Sequence, residues 1–344
     1  MTVKRGLGWR GGLVVLACAG LAAAGCGSAS SIPAAGSAQE PGTSGKPSGT
    51  ADVAYASSLE FLNEQVFGPA FTKAEGFTYS GRAGASGELS SGIASGEISP
   101  GVFESVGGDN ITSLEPKFTK WFVQYAGTSI VVAYNPDSKY APQFKAIASG
   151  KKPLTDLFTL METPGFKLGR TDPDIDPQGR AFIYMLKLAQ LTYHLPVSTV
   201  SKILGGPAGS PESPQIFTEA SLDSTLQSGQ LDAASAYLNQ AAELHLPYIP
   251  LPDSINLGNP RDAAQYAKAK VTITSNGEKS TKAGVPLTID ITTIGTPAPA
   301  ALAFVKYVLS PAGLALYKQG GYRILTPTVT GTGVPAAIRS EVGG

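Results

Sequence analysis

The chain has 344 residues, 42% of them hydrophobic and 15% charged, enough for one large or two medium hydrophobic cores. Lys plus Arg and Asp plus Glu both number 26, so the formal net charge is zero and no global field draws in nucleic acid or a membrane surface. An anionic ligand must therefore be held by local groups, and the sequence carries no internal repeat, heptad run or charged tail.

Lys4, Arg5 and Arg10 make a basic start, an apolar stretch runs from Leu13 to Ala24, and Gly25-Cys26 follows. This is the pattern of a secretory signal, too short for a comfortable transmembrane span. Ala23, Ala24 and Gly25 before Cys26 resemble a bacterial lipobox, although the pattern prefers Leu where Ala23 stands. The resemblance implies cleavage before Cys26 and a diacylglycerol on its sulfur; a plain signal peptide with an incidental Cys is the alternative. Cys18 falls in the discarded segment, so a lipidated Cys26 leaves no thiol for a disulfide, a metal site or a nucleophile. Residues 28–50 are mostly Ser, Gly, Ala and Pro and cannot bury enough surface to offset ordering entropy. Residues 1–25 thus read as signal peptide and 26–50 as a flexible tether.

From Ala51 onward strands and helices alternate. Val53–Ala56 predicts a short buried strand, and Leu59, Leu62, Val66 and Phe67 an apolar-periodic helix after Ser57-Ser58. Phe77–Tyr79 is a second strand, a Gly/Ser loop opens a helix at Leu89, and Val102-Phe103 is a third strand. Ser129–Tyr134 is a strong buried strand. Leu168–Arg170 follows as a strand, then helices over Gln178–Tyr193 and Leu222–Gln227, then the strand Ala233–Tyr237. After a stretch with Pro250, Pro252 and Pro260 come Val271–Thr274 and Leu287–Ile291, two strands or a plain hairpin, and closing helices over Pro299–Leu309 and Ala312–Gln319. The pattern predicts an α/β protein with parallel sheets and crossover helices in two lobes. Residues 51–133 and 284–344 would form the first lobe and 134–283 the second, with crossings near Ala133 and Gly284.

Several segments resemble type II periplasmic binding proteins. Phe304–Gly313 with Tyr317 and Gly320-Gly321-Tyr322 is similar to the closing helix pair of that superfamily. Gly169-Arg-Thr-Asp-Pro-Asp-Ile-Asp-Pro-Gln-Gly-Arg180 resembles the molybdate/tungstate-binding branch, archaeal-type tungstate binders above all. Tyr55–Leu59, Gly84–Leu89, Ser228–Tyr237 and Tyr248–Leu257 fit the same branch, and the resemblance extends from Asp52 to Arg339. It implies a two-lobed fold with the ligand in the inter-lobe cleft. It also implies a monomeric lipoprotein that captures molybdate or tungstate, hands it to the permease subunits of an ABC importer, and uses no cofactor, resident metal or nucleic acid.

A buried tetrahedral dianion needs many donors, and neutral ones suffice: backbone N–H groups at helix starts and orientable hydroxyls. In the family a serine matching Ser58 gives its hydroxyl and a nearby N–H, and a second serine matches Ser86; both also read as N-caps. Pro177 suits a first helical turn with Asp176 as its N-cap, and the family uses the N–H after this proline, here that of Gln178. The matching tyrosine, Tyr237, gives its phenol, or else is a core residue at a strand end. Glu219 aligns with a backbone donor. In archaeal-type members an Asp matching Asp176 and a Glu just before the tyrosine bond the metal atom; here Ala236 occupies that place, so Asp176 is either a cap or a single extra ligand. Arg170 could offer a bidentate grip or pair with Asp172 or Asp174, which read as turn residues, and it is not placed among the residues that touch the anion.

Other readings remain: the same architecture holding sulfate, phosphate or thiosulfate, an enzyme, or an adhesin. His194 and His245 each precede Leu-Pro and read as structural or surface residues, and no HExxH, GxSxG or P-loop spacing is present, which leaves no nucleophile–base pair.

Overall fold

The computed structural model describes residues 47–205, 215–275 and 277–342. The expected signal peptide, Cys26 and nearly all of the expected tether lie outside them. Strands follow in chain order as β1 (Thr50–Ala56), β2 (Thr78–Gly84), β3 (Val102–Val106), β4 (Trp121–Gly127), β5 (Ile130–Tyr134), β6 (Leu168–Thr171), β7 (Ile216–Phe217), β8 (Ala233–Tyr237), β9 (Tyr248–Ile249), β10 (Lys270–Ser275), β11 (Glu278–Ala283), β12 (Thr288–Thr293) and β13 (Arg323–Gly331). A six-stranded sheet has the order β13-β4-β12-β3-β1-β2, a five-stranded sheet β7-β6-β8-β5-β9, and β10 and β11 form a separate hairpin. Every residue of β3, β5, β8 and β12 is buried, as befits central strands covered on both faces.

The sheets are mixed rather than parallel. β1 runs parallel to β2 and β3, but β12 runs antiparallel to β3 and β4, and β13 antiparallel to β4. β12 enters directly from the β11 side with no crossover helix before it, so nothing obliges it to run with β3. The Val271–Thr274 and Leu287–Ile291 segments do not pair with each other: β10 pairs with β11, and β12 is a core strand of the large sheet. β5 pairs with β8 and β9, so the first change of sheet falls at Thr128-Ser129, upstream of the crossing expected near Ala133. The strand Trp121–Gly127, nearly all apolar and buried, joins the large sheet without any alternation that would mark it in sequence.

The segment after β1 is not one helix. A 3-10 turn covers Ser57–Leu59, a π turn Leu62–Phe67 and an α-helix Gly68–Glu75. The Asn63 side chain donates to the Leu59 carbonyl (3.2 Å) and to Glu104 Oε2 (3.0 Å), fixing the irregular pitch. Glu104, on β3, is fully buried and also takes the hydroxyls of Tyr125 and Tyr317. Burial pushes its carboxyl up, and these three donors oppose the shift.

The long helix Pro177–Tyr193 has proline in its first turn and Asp176 as N-cap, and it is buried around most of its circumference. His194 closes it in the left-handed conformation (φ 53°), the structural role read for it from sequence.

Candidate anion-binding site

The six-stranded lobe offers two serines. Ser58 lies in the 3-10 turn that ends β1, and its hydroxyl caps nothing; the N-cap there is Ala56. Its carbonyl accepts from Asn239 Nδ2 (3.2 Å) and the Tyr322 hydroxyl (3.1 Å). Ser86 is the first residue of the helix Ser86–Ser95, whose N-cap is Ala85, again without a side-chain cap. Its oxygen accepts from the Val106 N–H (3.2 Å), so its own proton remains free to donate. Both serines are buried.

The five-stranded lobe supplies Asp176, Gln178, Glu219 and Tyr237. Asp176 caps its helix: Oδ1 accepts from the Gln178 N–H at 2.8 Å. The backbone donor expected at Gln178 is therefore already engaged. Gln178 works instead through its fully buried side chain, which donates to Glu219 Oε1 (2.9 Å) and Gln240 Oε1 (3.0 Å) and accepts from Ser235 Oγ (2.8 Å). Glu219, expected to contribute its backbone N–H, turns its carboxylate to the Gln178 amide. It opens the helix Glu219–Gln227 behind the N-cap Thr218, and the Gln178 amide holds its side chain in the interior.

Tyr237 ends β8, is buried, and its hydroxyl has no hydrogen-bond partner. A buried polar atom left alone carries a desolvation cost that a ligand oxygen would relieve. Burial raises the Tyr237 phenol well above its ordinary value, and the charges of Asp176 and Glu219 raise it further, while Arg180 opposes them. Burial likewise pushes Asp176 up to about 6, against the Gln178 N–H, and Glu219 well up, reinforced by Asp176 and Asp223. The charges of two poorly solvated carboxyls thus act on one orphan hydroxyl.

The two halves touch. The Gly87 N–H donates to the Ile175 carbonyl (3.1 Å), bringing the start of the Ser86 helix against the loop that carries Asp176. A side chain at Gly87 would put its Cβ 2.4 Å from that carbonyl oxygen, so only glycine permits the approach. Asp174 accepts from the Thr274 N–H (2.9 Å), and its own N–H donates to Asp172 Oδ1 (2.9 Å), the turn role read for these two acids.

Arg170 neither grips the site nor pairs with Asp172 or Asp174. It is fully buried, Nη1 donates to the Thr171 carbonyl (3.4 Å), and Nε and Nη2 have no partner. The cation near the site is Arg180, one turn into the Asp176-capped helix, whose charge acts on both Asp176 and Tyr237. Among the described residues it forms no ion pair. Sequence reasoning missed it, although its signal was there: a cation three residues beyond Pro177, on the first turn of a candidate anion site.

A cavity of about 460 Å³ lies beside Ser58, bounded by Phe61, Asp223, Gln240 and Glu243, and one of about 290 Å³ lies beside Pro177, Arg180 and Tyr184. A larger one of about 720 Å³, by Phe122, Lys282 and Thr330, contains none of the expected residues. Among the described residues no group of three or more His, Cys, Asp or Glu is placed to hold a metal ion.

The family described as "Bacterial extracellular solute-binding protein" matches residues 51–323, and the chain belongs to it: a family of solute binders outside the cytoplasm, not of enzymes. The chain is 29% identical over 217 residues to an "Uncharacterized solute-binding protein" of Petrotoga mobilis, covering 62% of this chain and 64% of that protein, just under two thirds of its length. It is 29% identical over 247 residues to the "Molybdate/tungstate-binding protein WtpA" of Thermococcus kodakarensis, covering 67% of each chain. The periplasmic molybdate-binding protein of Azotobacter vinelandii shares the fold, with a TM-score of 0.52 at 17% identity over 78% of this chain and 97% of that one. The architecture is thus the two-lobed type II periplasmic-binding-protein fold.

Proposed function

We propose that the protein captures molybdate or tungstate in the cleft between its lobes and delivers it to the permease of an ABC importer. The observation that carries this reading is the buried, unpartnered Tyr237 hydroxyl, on which the Asp176 and Glu219 carboxyls, both tied to Gln178, exert their charge. Ser58 and Ser86 would donate from the other lobe. Carboxylates repel a dianion such as sulfate or thiosulfate, whose central sulfur takes up no further oxygen ligand. Molybdenum and tungsten accept further oxygen ligands, so Asp176 and Glu219 would bond the metal atom and complete six-coordination. Glu219 then supplies the second carboxylate that Ala236 cannot. Arg180 offsets part of the accumulated negative charge. The names of relatives such as the Thermococcus protein support the same cargo.

Phosphate is the rival the site favours next, because a protonated phosphate can donate to a carboxylate. Calorimetric titration with molybdate, tungstate, phosphate and sulfate decides between them. Tight binding of the first two alone is expected; tighter binding of phosphate overturns the reading. The protein would act as a monomer held at the membrane's outer face by a lipid on Cys26. A Cys26→Ser chain should appear in the soluble fraction, and its retention on the membrane would refute the anchor.

A further inference from the structure

Asn239 is fully buried and every polar atom of its amide is engaged. It is the second residue of the helix Leu238–Glu243, directly after Tyr237 and Leu238 in the five-stranded lobe. Nδ2 donates to the Ser58 carbonyl (3.2 Å) and to the Tyr322 hydroxyl (2.6 Å), and Oδ1 accepts from Thr128 Oγ1 (2.6 Å). Tyr322 in turn donates to the same Ser58 carbonyl (3.1 Å). Three places in the fold meet at one side chain: the Thr128-Ser129 crossing, the turn that carries a ligand serine, and the segment after the last long helix pair.

We propose that Asn239 is a positioning residue that locks the lobes in the closed arrangement and sets the aim of the Ser58 turn; the part concerning ligand affinity rests on the oxyanion reading above. A peptide group is planar, so holding the Ser58 carbonyl also fixes the Leu59 N–H, which points the opposite way in the same plane. Asn239 reaches Ser58 from the other lobe, so the bond ties the two lobes together. Its third bond goes to the crossing itself, where a closing rotation must be absorbed. The Leu238 N–H donates to the Ser129 carbonyl (2.9 Å), tying the start of the same helix to that segment. Ligand grip and lobe closure are thereby one event: the group beside Tyr237 that senses closure is the group that orients Ser58.

The test is Asn239→Asp in the full chain. It keeps size and the Thr128 contact but sets a carboxylate oxygen against the Ser58 carbonyl. Hydrogen exchange of the 57–62 segment, read by mass spectrometry with and without molybdate, should quicken at least tenfold. Molybdate affinity should fall more than tenfold, mainly through faster dissociation, while the circular dichroism spectrum stays that of the parent. Tyr322→Phe, which spares the Asn239–Ser58 bond, should show a smaller effect of the same kind, and it serves as the deciding variant if Asn239→Asp does not fold. Unchanged exchange of 57–62 in a folded variant overturns the inference, as does unchanged molybdate dissociation. If the parent chain binds no oxyanion, the functional reading falls, and the ligand-free exchange comparison still decides for or against Asn239.

Discussion

Gly87 and Ile175 meet backbone to backbone across the cleft, N–H to carbonyl at 3.1 Å. The contact joins the helix that presents Ser86 to the loop that presents Asp176. Gly87→Ala should leave each lobe intact but obstruct their approach, because the added Cβ would fall 2.4 Å from the Ile175 oxygen. The expected outcome is molybdate binding weaker by on the order of 1–3 kcal/mol, within the range of overpacking, with little change in the melting temperature of the ligand-free protein. Calorimetry and a melting curve on the same sample check both halves.

Tyr237→Phe should separate stability from affinity. The hydroxyl has no partner in the folded chain, so removing it relieves an unsatisfied buried group. The ligand-free variant should melt at the parent temperature or above it. Oxyanion affinity should drop roughly tenfold or more, the loss of one donor to a buried oxygen. A variant that melts lower yet binds normally would show that the phenol serves the core alone.

The pH dependence has a defined sign. Burial pushes the Asp176 carboxyl up to about 6, so between the ordinary carboxyl range and that value the folded chain holds a proton the unfolded chain has released. This contribution to ligand-free stability is complete below about pH 4 and lost as pH rises through about 6. Asp176→Asn keeps a capping oxygen and removes the titration. It should therefore gain stability on the order of 2–3 kcal/mol at pH 8 and nothing at pH 4, measured by urea unfolding. If the carboxylates bond the metal, protons compete with it, and parent affinity for molybdate should fall as pH drops through that same range.

Arg180→Gln should slow molybdate association and cut affinity by on the order of 1–2 kcal/mol, the value of a unit charge acting over about 10 Å at an effective dielectric near 20. Its association rate should also depend less steeply on salt. Stopped-flow measurements at two ionic strengths give the answer.

Molybdate itself should stabilise the parent by about 4 kcal/mol at a thousandfold excess over its dissociation constant. A melting curve that is indifferent to molybdate and tungstate would remove them as cargo.

Much of this site was legible because its parts are local. Asp176-Pro177 announces a capped helix start, and the cap is there. Ala233–Tyr237 is a short apolar run ending in a tyrosine, and strand and tyrosine fall as read. What chain order cannot carry is direction. Nothing near Glu219 indicates that its side chain, not its N–H, turns inward; that is decided by Gln178, 41 residues away, whose amide receives it. Arg170 stays outside the site, as read, but its strand neighbours leave it facing the core, which the sequence did not indicate. β12 shows the limit at the level of the sheet: its composition marks a buried strand, but its antiparallel sense depends on where the chain re-enters.

Glu104 stands behind the Ser58 turn, not in front of it, and steadies it through Asn63. The turn is then braced from the dry interior of its own lobe as well as from Asn239 of the other. Substitutions at Glu104, Tyr125 or Tyr317 should therefore move the Ser58 turn from behind, by way of Asn63, although none of the three lies in the turn itself.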